Sequence, residues 1–130
     1  MKLILLRHGI TEANEKRLYC GSTDIGLSER GKAQLTEKGT EISPRGFHII
    51  TSGKLRCEET LKILFGSFPH DTDPAFCEMD FGSFEMQSYE SLKDTEDYQL
   101  WLSGDNEANR TPGGESGLDL VRRVTAALDG

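Results

Sequence analysis

The feature that most constrains the fold stands at the amino terminus. An apolar run, Leu3-Ile4-Leu5-Leu6, is cut off at once by Arg7, His8 and Gly9. Four residues are too few for a signal-peptide core or a membrane span. The switch instead predicts a buried strand, Lys2–Leu6, that delivers Arg7, His8 and Gly9 at its carboxyl end. A cytoplasmic location is the matching expectation. The chain has 130 residues, enough for one core and too few for two ordinary domains, so 1–130 is read as a single domain.

Further along, periodicity predicts a polar loop to about Leu27 and a helix from Ser28 to Gly39, with Ser28 as N-cap. A short strand is expected at Phe47–Thr51, an amphipathic helix at Leu55–Phe65 closed by Gly66, and a third strand at Ala75–Glu78. An aromatic-rich stretch follows, Phe81 to Leu102, helical in its second half; residues 81–110 read as a helical or lid insertion. Asn106–Gly114 reads as a turn-rich loop and Ser116–Leu128 as a last helix. Alternating strands and helices imply an α/β class: a three-layer α/β/α sandwich on a mostly parallel sheet. Ligands of such sheets bind beyond the carboxyl ends of the strands, where Arg7-His8-Gly9, Thr51-Ser52 and Glu78 would meet.

The formal net charge is −7, which argues against nucleic acid or anionic membrane as partners. It also requires any anion site to be a local cluster of cations and backbone N–H groups. The cysteines, Cys20, Cys57 and Cys77, are odd in number and lack metal-ligand spacing, so neither a disulfide framework nor a metal site is expected.

Residue chemistry then picks out candidates. Neutral His8 is a competent nucleophile toward phosphorus if its second ring nitrogen is fixed by a hydrogen bond. Arg7 offers a planar fork of donors suited to phosphate oxygens, and Thr11 and Asn14 add neutral donors. Arg56 lies in the first turn of a helix, where acidic residues are the norm; a cation there makes sense if it reaches for a phosphate. Two carboxylates compete as general acid. Glu78 ends a predicted strand and Glu85 lies seven residues on in a loop; the rigid strand end favours Glu78. His48 and His70 suit surface or packing roles.

These residues fall into a recognisable order. LLRHGITEANEKRLYCGSTDIGLSERGKAQ resembles the signature region of the histidine phosphatase superfamily, the phosphoglycerate-mutase-like enzymes. TSGKLRCEET resembles its second motif, EMDFGSFEMQSYESL its third and PGGESGLDLVRRV its fourth. The resemblance implies that His8 becomes a phosphohistidine and that Arg7 and Arg56 hold the transferring phosphoryl oxygens. It further implies that Asn14, with Thr11 and Gly21, contacts phosphate or substrate and that Glu78 protonates the leaving group. No cofactor is implied. The expected partners are a small phosphorylated substrate and at most a second copy of the chain in a homodimer.

FEMQSYESL and DYQLWL followed by PGGES resemble α-ribazole phosphatase-like members, which remove a 5′-phosphate from a nucleotide-like intermediate of cobalamin assembly. Phosphomonoester hydrolysis is therefore the expected activity. Phosphoglycerate mutase activity and a non-catalytic phosphate-binding pseudoenzyme are the rivals. Phe81, Phe84, Tyr89, Tyr98 and Trp101 form either a lid over an aromatic base or the core of a helical subdomain. Gly26, Cys57 and Met86 depart from the family's usual proline, alanine and glycine. The family's late His-Gly motif has no counterpart, so the domain is expected to be incomplete at its carboxyl end and catalytically weak by itself.

Overall fold

A computed structural model describes residues 1–130. The chain leaves its amino-terminal segment through Thr11, whose hydroxyl accepts the Asn14 N–H and caps the one-turn helix α1, Glu12–Glu15. This turn lies inside the stretch expected to be a plain loop. Helix α2, Glu29–Lys38, starts at Ser28, whose hydroxyl accepts the Gly31 N–H, and ends at Gly39 with φ of 58°. Glu29 in its first turn and Lys38 in its last complement the helix dipole. Its buried contact is made through a glycine: a Cβ on Gly31 would sit 2.0 Å from the Ile10 carbonyl oxygen, so α2 abuts the chain just after His8.

Strand β1, Ile50–Thr51, leads into α3, Leu55–Phe65, which ends at Gly66 as expected. β1 pairs in parallel with β2, Asp71–Thr72, with Ile50 opposite Asp71 and Thr51 opposite Thr72. The pairing has the predicted parallel sense and the class is α/β, but the sheet has two strands. Two strand expectations need correction. Ala75–Glu78 is not a strand; Asp73 caps a 3₁₀ turn, Pro74–Phe76, whose proline fits the first turn and donates nothing to a ladder. Lys2–Leu6 is unpaired, with Leu3, Leu5 and Leu6 exposed.

Helices α4, Tyr89–Leu92, α5, Glu96–Leu102, and α6, Gly117–Asp129, complete the chain. The hydrophobic centre lies away from the sheet, where Phe84, Leu92 and Tyr98 are buried together under Tyr19, Phe81 and Trp101. These rings pack edge-on or tilted against one another, Phe84 and Tyr98 at 5.6 Å and Tyr19 and Trp101 at 5.8 Å. The aromatic stretch therefore builds a core of its own. The accessible surface is 8638 Å², against about 6,900 Å² for a compact monomer of this mass. Part of the excess is the open apolar face of Leu3, Leu5, Leu6 and Ile50. No helix is long and apolar enough to cross a membrane.

Candidate active site

His8 is half-buried, and its backbone surroundings are fixed by α3. The Gly9 N–H donates to the Thr60 hydroxyl at 2.9 Å, and that hydroxyl donates to the Arg56 carbonyl at 2.7 Å. The His8 ring is oriented by a 2.7 Å contact between Nδ1 and the Gly9 carbonyl. A carbonyl only accepts, so Nδ1 carries the proton and Nε2 keeps its lone pair. Burial lowers the pKa of His8 below its ordinary value, opposed by the Gly9 carbonyl, helped by Arg56 and Arg7, and opposed again by Glu78. The two cations and the carboxylate that the sequence singled out thus all act on this imidazole, which is neutral at neutral pH.

Arg56 is 3% exposed. Nη1 donates to the Thr23 carbonyl at 2.8 Å and Nη2 to the Gly21 carbonyl at 2.7 Å. Those bonds fix the guanidinium plane but supply no counter-charge, and no carboxylate lies within ion-pair distance. A buried cation without an anion is costly, and it leaves donors free for an anionic ligand. Arg7 is exposed and unpaired.

Thr11 is 1% exposed. Its hydroxyl donates to the Asn14 side-chain oxygen at 3.0 Å and accepts the Asn14 N–H at 3.2 Å. Thr11 is thus committed to the cap and has no donor left for phosphate. The same cap presents the free Asn14 amide nitrogen. Arg7, His8, Asn14, Arg17 and Lys38 line one cavity of about 530 Å³, whose wall does not include Arg56, Gly21, Thr11 or Glu78. Neither Arg17 nor Lys38 was picked out from sequence. Arg17 looks like any loop arginine there, and its φ of 55° follows from ending α1.

Gly21 is where two walls touch. A Cβ there would lie 1.7 Å from the Met79 carbonyl oxygen, so only glycine fits. Its carbonyl accepts Arg56, and its N–H donates to both oxygens of Glu85 at 3.0 Å. Gly21 thus joins Arg56 to Glu85, but its own N–H is not available to a ligand.

The two candidate acids separate clearly. Glu85 also accepts the Thr23 N–H at 2.9 Å, the Thr23 hydroxyl at 2.7 Å and the Phe81 N–H at 3.0 Å. Burial pushes its pKa up, but the Gly21, Thr23 and Phe81 donors outweigh it and hold the carboxyl below the usual value. Glu85 is an ionised tie between loops. Glu78 is exposed, and one oxygen accepts the neighbouring Met79 N–H at 2.8 Å. Its other oxygen has no partner. Of the other histidines, His70 contacts Glu58 at 2.7 Å and His48 contacts Asp71 at 2.6 Å. Cys20, Cys57 and Cys77 are free thiols.

A half-buried histidine with a fixed tautomer, a buried unpaired arginine and a solvent-facing carboxylate suit phosphoryl chemistry. The chain belongs to the histidine phosphatase superfamily, branch 1, whose family model matches residues 3–130. Among relatives, it is 34% identical over 133 residues to "Probable phosphoglycerate mutase GpmB" of Yersinia enterocolitica, covering 99% of this chain and 62% of that protein. The protein of the same name in Enterobacter sp. strain 638 is 33% identical over 132 residues, covering 98% and 61%.

A solved structure from Escherichia coli K-12, described as "a putative alpha-ribazole-5'-P phosphatase", superposes with a TM-score of 0.80 at 27% identity, covering 95% of this chain and 63% of that one. A phosphoglycerate mutase from Thermus thermophilus superposes with a TM-score of 0.74 at 28% identity, covering 95% and 68%. The chain thus spans about three-fifths of the length of the curated relatives it matches.

Proposed function

We infer that the protein is a phosphomonoester hydrolase acting through a phosphohistidine on His8. The observation that carries this reading is Arg56, a buried guanidinium held by the Thr23 and Gly21 carbonyls and lacking any anionic partner. It acts on an imidazole whose proton sits on Nδ1. The His8 Nε2 lone pair attacks phosphorus as the P–O ester bond breaks, and Glu78 gives its proton to the departing alkoxide. Arg56, Arg7 and the Asn14 amide take up the charge spreading over the phosphoryl oxygens. Water then attacks the phosphohistidine; the Glu78 carboxylate takes its proton, inorganic phosphate leaves and neutral His8 returns.

The substrate is a small phosphate monoester, and the alpha-ribazole phosphatase named among the similar structures favours a nucleotide-like one. A cytoplasmic enzyme is the matching reading. The names of the curated relatives support a second one, in which phosphohistidine returns its group to a phosphoglycerate rather than to water. A panel of phosphate monoesters tested on the complete protein, with and without 3-phosphoglycerate as acceptor, separates the two. Release of inorganic phosphate should dominate. Net exchange of phosphate between glycerate positions without release would replace hydrolase by mutase.

A further inference from the structure

Arg123, on α6, donates from every N–H of its guanidinium near the site, yet the chemistry above does not use it. Nε donates to one oxygen of Glu115 at 2.8 Å and Nη2 to the other at 2.9 Å. Nη1 donates to the carbonyls of Ala75 at 2.7 Å and Cys77 at 2.8 Å, and Nη2 also donates to the Glu78 carbonyl at 3.1 Å. A guanidinium has five N–H donors, and here all five are engaged. Arg123 has nothing left for a substrate.

Its acceptors share one property: they bracket Glu78. The Ala75, Cys77 and Glu78 carbonyls fix the chain on the amino side. Glu115, held by the other edge of the same guanidinium, accepts the Asp80 N–H at 2.9 Å and fixes it on the carboxyl side. The Asp80 carbonyl in turn accepts the Glu115 N–H at 2.8 Å and the Thr111 hydroxyl at 3.1 Å. Between these anchors, the Met79 carbonyl presses on Gly21, which joins Glu85 to Arg56. Residues Ala75–Glu78 have no strand to hold them. The arginine fork supplies the acceptor-matching that a neighbouring strand would otherwise give.

We propose that Arg123, locked to Glu115, is a positioning residue that sets where the Glu78 carboxyl stands relative to His8. This rests on Glu78 being the proton donor. Arg123 and Glu115 hold each other in the charged form: the Arg123 hydrogen bonds lower the Glu115 pKa first of all, against burial, with the Asp80 N–H adding to them. The clamp therefore persists across the neutral pH range. It acts through backbone groups, the Ala75, Cys77 and Glu78 carbonyls and the Asp80 N–H, so its loss moves the acid without removing it.

That distinction is measurable, because a misplaced acid matters only when the leaving group needs a proton. Hydrolysis of p-nitrophenyl phosphate and of glycerol phosphate would be compared in the complete protein, using wild type, Glu78→Gln, Arg123→Met, Arg123→Lys, Glu115→Gln and the Arg123→Met/Glu78→Gln double variant. Arg123→Met should slow kcat on glycerol phosphate by roughly tenfold to a hundredfold, as expected for misplacement by about 1 Å, and on the nitrophenyl ester by less than about threefold. Added to Glu78→Gln, it should cost glycerol phosphate no more than about twofold further, because the two act through one group. Lys, with three donors and no plane, should not restore the selectivity; full rescue by Lys would mean that charge alone matters and would overturn the clamp.

Equal slowing of both esters by Arg123→Met, while Glu78→Gln remains selective, would also overturn it and leave the functional reading standing. Equal slowing by Glu78→Gln itself would instead remove Glu78 as the acid. Should Arg123→Met fail to unfold cooperatively, Glu115→Gln carries the decision: selective slowing of glycerol phosphate supports the clamp, and equal slowing rejects it.

Discussion

Two segments carry the proposed nucleophile and the proposed acid, and they are held in different ways. Residues 1–8, which end on His8, make no backbone–backbone hydrogen bond, and Leu5 within them is 84% exposed. Residues 75–85, which carry Glu78 and Glu85, are tied by hydrogen bonds to Arg123, Glu115, Thr111, Gly21 and Thr23. The first segment is built to be held by apolar cover on both faces, as a strand in the middle of a sheet is. The second is held by polar bonds to residues distant in the chain, from Gly21 and Thr23 on one side to Glu115 and Arg123 on the other. The proposed nucleophile thus stands at the end of an open segment, beside the Gly9–Thr60 bond, and the proposed acid stands inside a polar web.

Substitutions sharpen the contrast, and the largest effect belongs to the aromatic core beneath the second segment. Phe84 is 2% exposed, and Phe84→Ala should cost about 3–5 kcal/mol in urea unfolding of this chain. Glu85→Gln comes next, at about 1–3 kcal/mol, since it weakens a set of charge-assisted bonds without emptying a cavity. The Glu85 pKa is depressed by folding, so its contribution is present above the ordinary carboxylate value of 4.5 and is lost as pH falls through the folded value. The gap between wild type and Glu85→Gln should therefore close on acidification; a gap that widens would show that Glu85 is buried in its neutral form. Leu5→Ser should change stability least, by under about 0.5 kcal/mol in this chain. A cost like that of Phe84→Ala would mean that residues 2–6 are covered in solution.

Much of this arrangement was legible in the sequence. Ser28, Gly39, Gly66 and Ser116 mark helix ends by cap chemistry, which depends only on near neighbours, and α2, α3 and α6 begin and end within a residue or so of expectation. Strands were less legible, because a ladder needs a partner that local pattern does not name. Lys2–Leu6 has the right composition and no partner. Ala75–Glu78 is diverted by Asp73-Pro74 into a 3₁₀ turn, and the parallel pairing falls a few residues earlier, at Asp71–Thr72.

At the site, His8, Arg7 and Arg56 could be picked out because their residue types are unusual where they stand; Glu78 was favoured over Glu85 for its resemblance and for a strand end that the structure replaces with a 3₁₀ turn and coil. Thr11 and Gly21 could be named by motif alone, but pattern does not show that their donors are spent on Asn14 and Glu85. The Glu115–Arg123 fork was not legible, since an acidic residue just before a helix is ordinary and nothing local points Arg123 toward Ala75 and Cys77.

The segment that leaves Leu5 open still half-buries His8, and that burial, before any neighbouring charge, lowers its pKa from 6.5. With neutral imidazole as the proposed nucleophile, the acid limb of kcat/KM in the complete protein should fall below pH 6.5 and shift upward in Arg56→Met. A limb above that ordinary value would mean that an uncompensated carboxylate, not burial, governs His8.

The central claim, that His8 Nε2 takes the phosphoryl group, has a direct test. The complete protein would be mixed with p-nitrophenyl phosphate, quenched at alkaline pH where phosphohistidine survives, and mapped by peptide mass spectrometry alongside Glu78→Gln, in which water attack is slowed. The account predicts a phosphoryl adduct on His8, more abundant in Glu78→Gln and absent from His8→Ala, which should also lose turnover while keeping its fold. Turnover with the adduct on another residue, or undiminished hydrolysis by His8→Ala, would contradict it.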